Sequence, residues 1–162
     1  MTMLARADAP FVAGGNNSGL LATVAVNSTY HESLNRTNSK ERYDRLDSGD
    51  CHTVTFHVGS RAKALASNSM GYMLRRRFHR AESVQQAADV WIGDGQCYRW
   101  TTWSLPEWKE RLGEDDYFFH PARDCSGPNS QLTRRWIKVR ICAAPNRRWT
   151  ASRYELWAMG IG

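Results

Sequence analysis

The segment Trp136-Ile137-Lys138-Val139-Arg140-Ile141-Cys142 alternates apolar and polar residues. Side chains along a strand point to opposite faces in turn, so Ile137, Val139 and Ile141 share one face and Trp136, Lys138 and Arg140 the other. A chain carrying such a segment has to supply a sheet with one buried and one wet side. Thr53-Val54-Thr55-Phe56-His57-Val58 repeats the pattern, with Val54, Phe56 and Val58 on one face.

Other segments extend the sheet. Tyr72 to Phe78 reads as a second strand with Tyr72, Leu74 and Phe78 inward, Cys97 to Trp103 as a third, and Tyr117 to Phe119 as a short further pairing. The last strand, Trp149 to Trp157, follows the turn residues Ala144-Pro145-Asn146 and makes a terminal hairpin with Trp136 to Cys142. Two helices are expected between these strands. Ser83 with Gln86 is a capping-box pair, Val84, Ala87, Ala88 and Trp91 form a stripe at helical spacing, and Gly93 closes the helix. Ser104 with Glu107, Pro106 in the first turn, the stripe Leu105, Trp108 and Leu112, and Gly113 specify the second. Trp91 and Trp108 are therefore expected in the core.

The predicted order is β-β-α-β-α-β-β. The predicted class is α+β, a mostly antiparallel sheet of about four to five strands with two short capped helices. Over residues 53–92 this element order resembles ubiquitin-like β-grasp domains, and the resemblance implies a helix crossing the sheet after two neighbouring strands. The length of 162 residues suits one domain. Residues 1–48 contain no Trp and are rich in Asn, Ser, Thr and Gly, with Leu20 to Val26 as one short strand. They are expected to form a polar, flexible N-terminal arm ahead of a single α+β domain over 49–162.

No apolar run reaches the roughly 18 residues of a membrane span, and Met1 to Pro10 lacks the apolar centre of a secretory signal. The chain is accordingly expected to be intracellular, cytoplasmic rather than organellar. Cys51, Cys97, Cys125 and Cys142 are then expected as buried free thiols. None of the four lies at zinc-site spacing and no glycine-rich phosphate loop is present, so no metal and no cofactor are expected.

Charge carries the strongest functional signal. Lys and Arg number 22 against 16 Asp and Glu, a formal +6. Between Arg134 and Arg153 there is no acidic residue, while Arg134, Arg135, Lys138, Arg140, Arg147, Arg148 and Arg153 are basic. Cations beside an indole are what polyanion binders use, with charge on phosphates and rings on bases. Arg75, Arg76, Arg77 and Arg80 form a second cluster that extends this face if both strands share one sheet.

The expected function is a basic, non-enzymatic binding protein. Its face of Trp136, Lys138, Arg140, Arg147, Arg148, Arg75 and Arg77 would contact nucleic acid, RNA rather than DNA, or a ribonucleoprotein, as a subunit of an assembly. A further alternative is an adaptor or inhibitor on an acidic protein surface.

The enzyme alternative rests on Asp94-Gly95-Gln96-Cys97-Tyr98. This resembles the Asp-Gly-x-Cys approach to the nucleophile in ovarian-tumour-type cysteine proteases, and papain-like viral leader proteases also place an aromatic after their Cys. The resemblance implies a cysteine hydrolase with Cys97 as nucleophile and His120 as base. It departs from those families in having a strand after Cys97 and a His only a short way downstream. Cys51 with His120 is a second pairing. Among His31, His52, His57, His79 and His120, only His57 falls beside the arginines on a strand's polar side, where it could serve as acid or base in RNA cleavage.

Overall fold

The computed structural model of the chain describes residues 1–9, 11, 22–26, 31–36, 39–57, 69–79, 86–93, 98–104, 112–119 and 136–160. Within them the strands are β1 (Thr2–Asp8), β2 (Ala22–Val26), β3 (His31–Arg36), β4 (Ser39–Leu46), β5 (Cys51–His57), β6 (Ser69–His79), β7 (Ala87–Gly93), β8 (Tyr98–Ser104), β9 (Leu112–Phe119), β10 (Trp136–Ala143), β11 (Trp149–Ala151) and β12 (Arg153–Gly160). They assemble into a four-stranded sheet of order β1-β12-β6-β9, a five-stranded sheet of order β2-β5-β10-β7-β8, and a three-stranded sheet of order β11-β4-β3. Every strand pair in the three sheets is antiparallel.

The inner faces of the sheets bury one apolar core. Leu74, Tyr154 and Leu156 come from the four-stranded sheet, Val54, Phe56, Val90, Ile137, Val139 and Ile141 from the five-stranded one, and Leu46 and Trp149 from the third. The alternation read along 53–58 and 136–142 is the reason. Val54, Phe56, Ile137 and Val139 are each followed by an outward Thr, His, Lys or Arg, so each strand has one apolar side to bury. Sandwiched sheets of this kind close with strands that are distant in sequence. β12 lies between β1 and β6, and β10 lies between β5 and β7.

The α+β expectation is corrected. Among the described residues there is no helix, and the segment expected as the first helix forms β7 instead. Ala88, Val90 and Ile92 are buried while Ala87, Asp89 and Trp91 are partly exposed, a period of two. The helical stripe through Val84, Ala87, Ala88 and Trp91 coexisted in the sequence with this alternation. Val90 and Ile92, β-branched at χ1, together with Trp91, favour the extended form once both edges can pair. β7 pairs with β10 on one side and β8 on the other. Among the described residues no helix crosses β5 and β6 as a β-grasp order requires, and β5 and β6 belong to different sheets. The second expected helix falls mainly on residues 105–111, outside the described residues, as does Trp108; Leu112 and Gly113 begin β9.

The terminal hairpin is also corrected. Ala144, Pro145, Asn146 and Arg147 do make a turn, with Arg147 N–H donating to Ala144 O at 3.0 Å and Asn146 in the left-handed region at φ 59°. The chain leaving that turn pairs with β4 as β11 and then with β1 and β6 as β12, not with β10.

The thiol expectation fails for two cysteines. Cys51 and Cys142 face each other across β5 and β10 and form a disulfide with Cα atoms 4.0 Å apart. Their sequence separation is 91, so spacing alone did not point to the pairing. Cys97 and Cys125 lie outside the described residues.

One buried polar node ties the sheets together. Arg76, on the inner side of β6, is fully buried. Its Nη1 donates to Gln86 Oε1 at 2.9 Å and to Thr150 O at 3.1 Å, and its guanidinium lies 3.4 Å from the centroid of the Trp149 ring. Phe78 and Trp103 flank it at 4.6 and 5.6 Å. The Asp115 carboxylate stands 3.6 Å from Nη2 and accepts the Trp103 indole N–H at 2.9 Å. Desolvation pushes the Arg76 pKa down to about 10, and Asp115 opposes the shift. The guanidinium thus joins β6 and β9 of one sheet to Gln86 beside β7 and to β11.

Candidate functional site

Two outward faces offer chemistry, and the sequence-predicted residues divide between them. On the four-stranded sheet the register aligns cross-strand rows: Asp8, Arg153, Arg77 and Glu114 in one, Arg6, Glu155, Arg75 and Asp116 in the next. These rows are strongly internally paired. Arg75 donates to both Asp116 oxygens at 2.8 and 3.1 Å, and Arg153 sits 2.8 Å from Asp8 and 3.5 Å from Glu155. Arg6 lies 3.4 Å from Asp8. The hydrogen bond to Asp116 holds the Arg75 pKa above its ordinary value. A third row, Met3, Trp157, Met73 and Phe118, continues the same face without charge.

The outward face of the five-stranded sheet is built differently. Its central row runs Thr53, Arg140, Trp91 and, in register on β8, Trp100. The row beside it runs Thr55, Lys138, Gly93 and Tyr98, and the row on the other side runs Cys51, Cys142, Asp89 and Thr102. Arg140 and Thr102 are exposed, while Trp91, Lys138, Asp89, Thr53 and Thr55 are half-buried. The Arg140 guanidinium lies 5.2 Å from the Trp91 ring centroid, and its Nη2 is 3.8 Å from Cys51 Sγ. Neither Arg140 nor Lys138 has a carboxylate within ion-pairing distance among the described residues. The disulfide anchors β5 to β10 at the end of this face.

Several sequence expectations are settled by this placement. Trp91 is not a core residue: it stands on the wet side of β7, and strand alternation places it there once the helix is discarded. Lys138 and Arg140 share the outward face of β10 as expected, and Trp136 opens that strand in register with His57. Arg75 and Arg77 lie on the other sheet, beside Arg153 of the C-terminal cluster and apart from Lys138 and Arg140. Arg76 points inward. Arg147 is exposed in the turn after β10, and Arg148 lies 3.6 Å from Asp47. Cys97 and His120 lie outside the described residues.

A second polar cluster has the residue types of a catalytic site but no access. Asp44 accepts the Phe11 N–H at 2.7 Å and lies 3.8 Å from His52 Nε2, and His52 Nδ1 is 3.2 Å from the Tyr154 hydroxyl. Trp149 donates to the same hydroxyl at 2.9 Å. His52, Asp44 and Tyr154 are 1%, 2% and 0% exposed, so no substrate reaches them and the cluster is structural. Among the described residues no group of three His, Cys, Asp or Glu side chains is placed to hold a metal.

No protein-family model matches the sequence, and no curated protein sequence matches it. Among solved structures the chain is similar to TmCBM61 in complex with β-1,4-galactotriose, with TM-score 0.44 and 15% identity over 85% of this chain and 88% of that one. It is similar to a structure of carbohydrate-binding modules from the β-sandwich superfamily, with TM-score 0.38 and 12% identity over 88% of this chain, which spans 57% of that one. It is also similar to the family 11 carbohydrate-binding module from Clostridium thermocellum in complex with a β-1,3-1,4-mixed-linked tetrasaccharide, with TM-score 0.39 and 5% identity over 98% of both chains. The nucleic-acid expectation is corrected: its arginines are split between two sheets, and Arg75 is held by Asp116. The cysteine-hydrolase and acidic-protein alternatives gain no support from the described residues.

Proposed function

We propose that the chain is a carbohydrate-binding module and that the outward face of the five-stranded sheet, centred on Trp91, is its binding surface. The observation that carries this reading is the half-buried Trp91 indole on the outward side of a disulfide-anchored sheet, with hydrogen-bonding side chains in its own and the adjoining rows. A pyranose has one face of C–H bonds and a rim of hydroxyls. The C–H bonds, carrying slight positive charge, are attracted to the negative face of an indole. The rim then needs donors and acceptors at short reach. Arg140 and Lys138 donate, Asp89 accepts, and the hydroxyls of Thr53, Thr55 and Thr102 do both. Strands hold these groups at fixed spacing, so little ordering entropy is lost on binding.

The test is affinity electrophoresis of the full chain through gels containing soluble polysaccharides, with Trp91→Ala as the comparison. Retardation by at least one polysaccharide that is abolished in the variant supports the reading. Retardation that Trp91→Ala leaves intact would place the site elsewhere, and a chain that no polysaccharide retards would refute it.

A further inference from the structure

We infer that this face selects an acidic glycan, one whose sugar ring carries a carboxylate or sulfate; the inference rests on the carbohydrate-binding reading above. The basis is a contrast between the two outward faces. On the four-stranded sheet Arg6, Arg75 and Arg153 each lie within 3.4 Å of a carboxylate. On the five-stranded sheet the register partners of Arg140 are Thr53 and Trp91, and those of Lys138 are Thr55 and Gly93. None of the four supplies a negative charge. Asp89, the carboxylate of that face among the described residues, is in register with Cys142, one row beyond Arg140 and two beyond Lys138.

Two cations with no counter-charge among the described residues therefore stand on alternate residues of one strand, about 7 Å apart along it. A neutral sugar needs hydrogen bonds but no net charge, and Thr, Asn or Gln side chains would serve it at less cost in mutual repulsion. An arginine fork and a lysine ammonium match an anionic group on the sugar, the fork taking both oxygens of a carboxylate or sulfate. Gly93 has no side chain, so the row holding Lys138 is bare backbone next to Trp91 along β7.

The experiment measures binding of the full chain by calorimetry to three polymers: a neutral β-1,4-galactan, polygalacturonate and a sulfated galactan. Each is run at low and at physiological salt, with Arg140→Gln and Arg147→Gln as matched single-charge losses. Arg147 is exposed in the turn after β10 and off this face, so it controls for the attraction of any basic protein to a polyanion. Affinity for one of the anionic polymers at least tenfold above the galactan is expected, falling with salt. A loss of about tenfold is expected in Arg140→Gln, and a change below twofold in Arg147→Gln. The preference between the two anionic polymers identifies the group recognised. Equal or tighter binding to the neutral galactan overturns this inference and leaves the carbohydrate reading standing. Equal losses in the two variants also overturn it, since net charge alone would then explain the binding. Binding to none of the three overturns the inference; the broader polysaccharide panel with Trp91→Ala then decides the reading beneath it.

Discussion

Removing the Arg76 guanidinium tests how the sheets are held together. Truncation to Ala deprives Gln86 Oε1 and Thr150 O of a charged donor and leaves the buried side of Asp115 without its cation. Hydrogen bonds from a charged group contribute about 1.5–3 kcal/mol each, and a cation on a desolvated indole contributes about 2 kcal/mol. Burying the charge costs several kcal/mol, which Arg76→Ala recovers in part. It also opens a hole against Trp149, Phe78 and Trp103. Breaking a buried pair from one side costs about 3–5 kcal/mol, and that is the loss expected here. For a chain of this length it corresponds to a fall in Tm of roughly 10 °C. Thermal and urea unfolding followed by circular dichroism read it directly. A loss below about 1 kcal/mol would refute the claim that this node joins the sheets.

Removing the disulfide provides a second test: Cys51→Ala with Cys142→Ala should lose about 2–5 kcal/mol, because the bridge closes a loop with a separation of 91, and an unchanged urea midpoint would argue against the bond. Alkaline titration provides a third. Burial pushes the Tyr72 pKa up to about 12 and raises that of Tyr154 further, so in the folded chain both stay neutral above pH 10. Unfolded tyrosines ionise near 10, so this contribution to stability is fully present below that pH and is lost as pH rises through 10 towards 12. Absorbance at about 295 nm should show two tyrosines ionising only as the chain unfolds, whereas titration of all six near pH 10 would contradict their burial. Finally, Trp91→Ala should change the unfolding free energy by less than about 1 kcal/mol, far less than a buried Trp would. A loss near 4 kcal/mol would return Trp91 to the core.

Strands were legible where alternation was clean. Val54, Phe56, Ile137, Val139 and Ile141 are all 0% exposed, as the period along their segments required. The helix expected over Ala87–Gly93 fails for a specific cause. Ala87, Ala88 and Trp91 fit a helical stripe and a strand equally in so short a window, and the capping pair Ser83 and Gln86 tipped the balance. Gln86 instead turns inward and hydrogen-bonds Arg76 and Thr150. Pairing between distant strands was not legible, because no local signal says that β12 meets β1 or that β10 meets β5. The same gap hid the disulfide and put Arg75 and Arg77 on the wrong face. For the candidate site, Lys138 and Arg140 were found by alternation, while Trp91 was visible but assigned to the core. Treating 87–93 as a strand would have moved it outward beside them.

The proposed face on β7 and β10 should be where an oligosaccharide meets this chain. The most direct measurement is a set of amide NMR spectra of the full chain during titration with an oligosaccharide of the polymer that binds it. Shifts concentrated on β7, β10 and the adjoining outward residues of β5 and β8, with Trp91 and Arg140 among the largest, are the expected result. Shifts concentrated instead on Met3, Trp157 and Phe118 of the opposite sheet, with Trp91 unmoved, would contradict it.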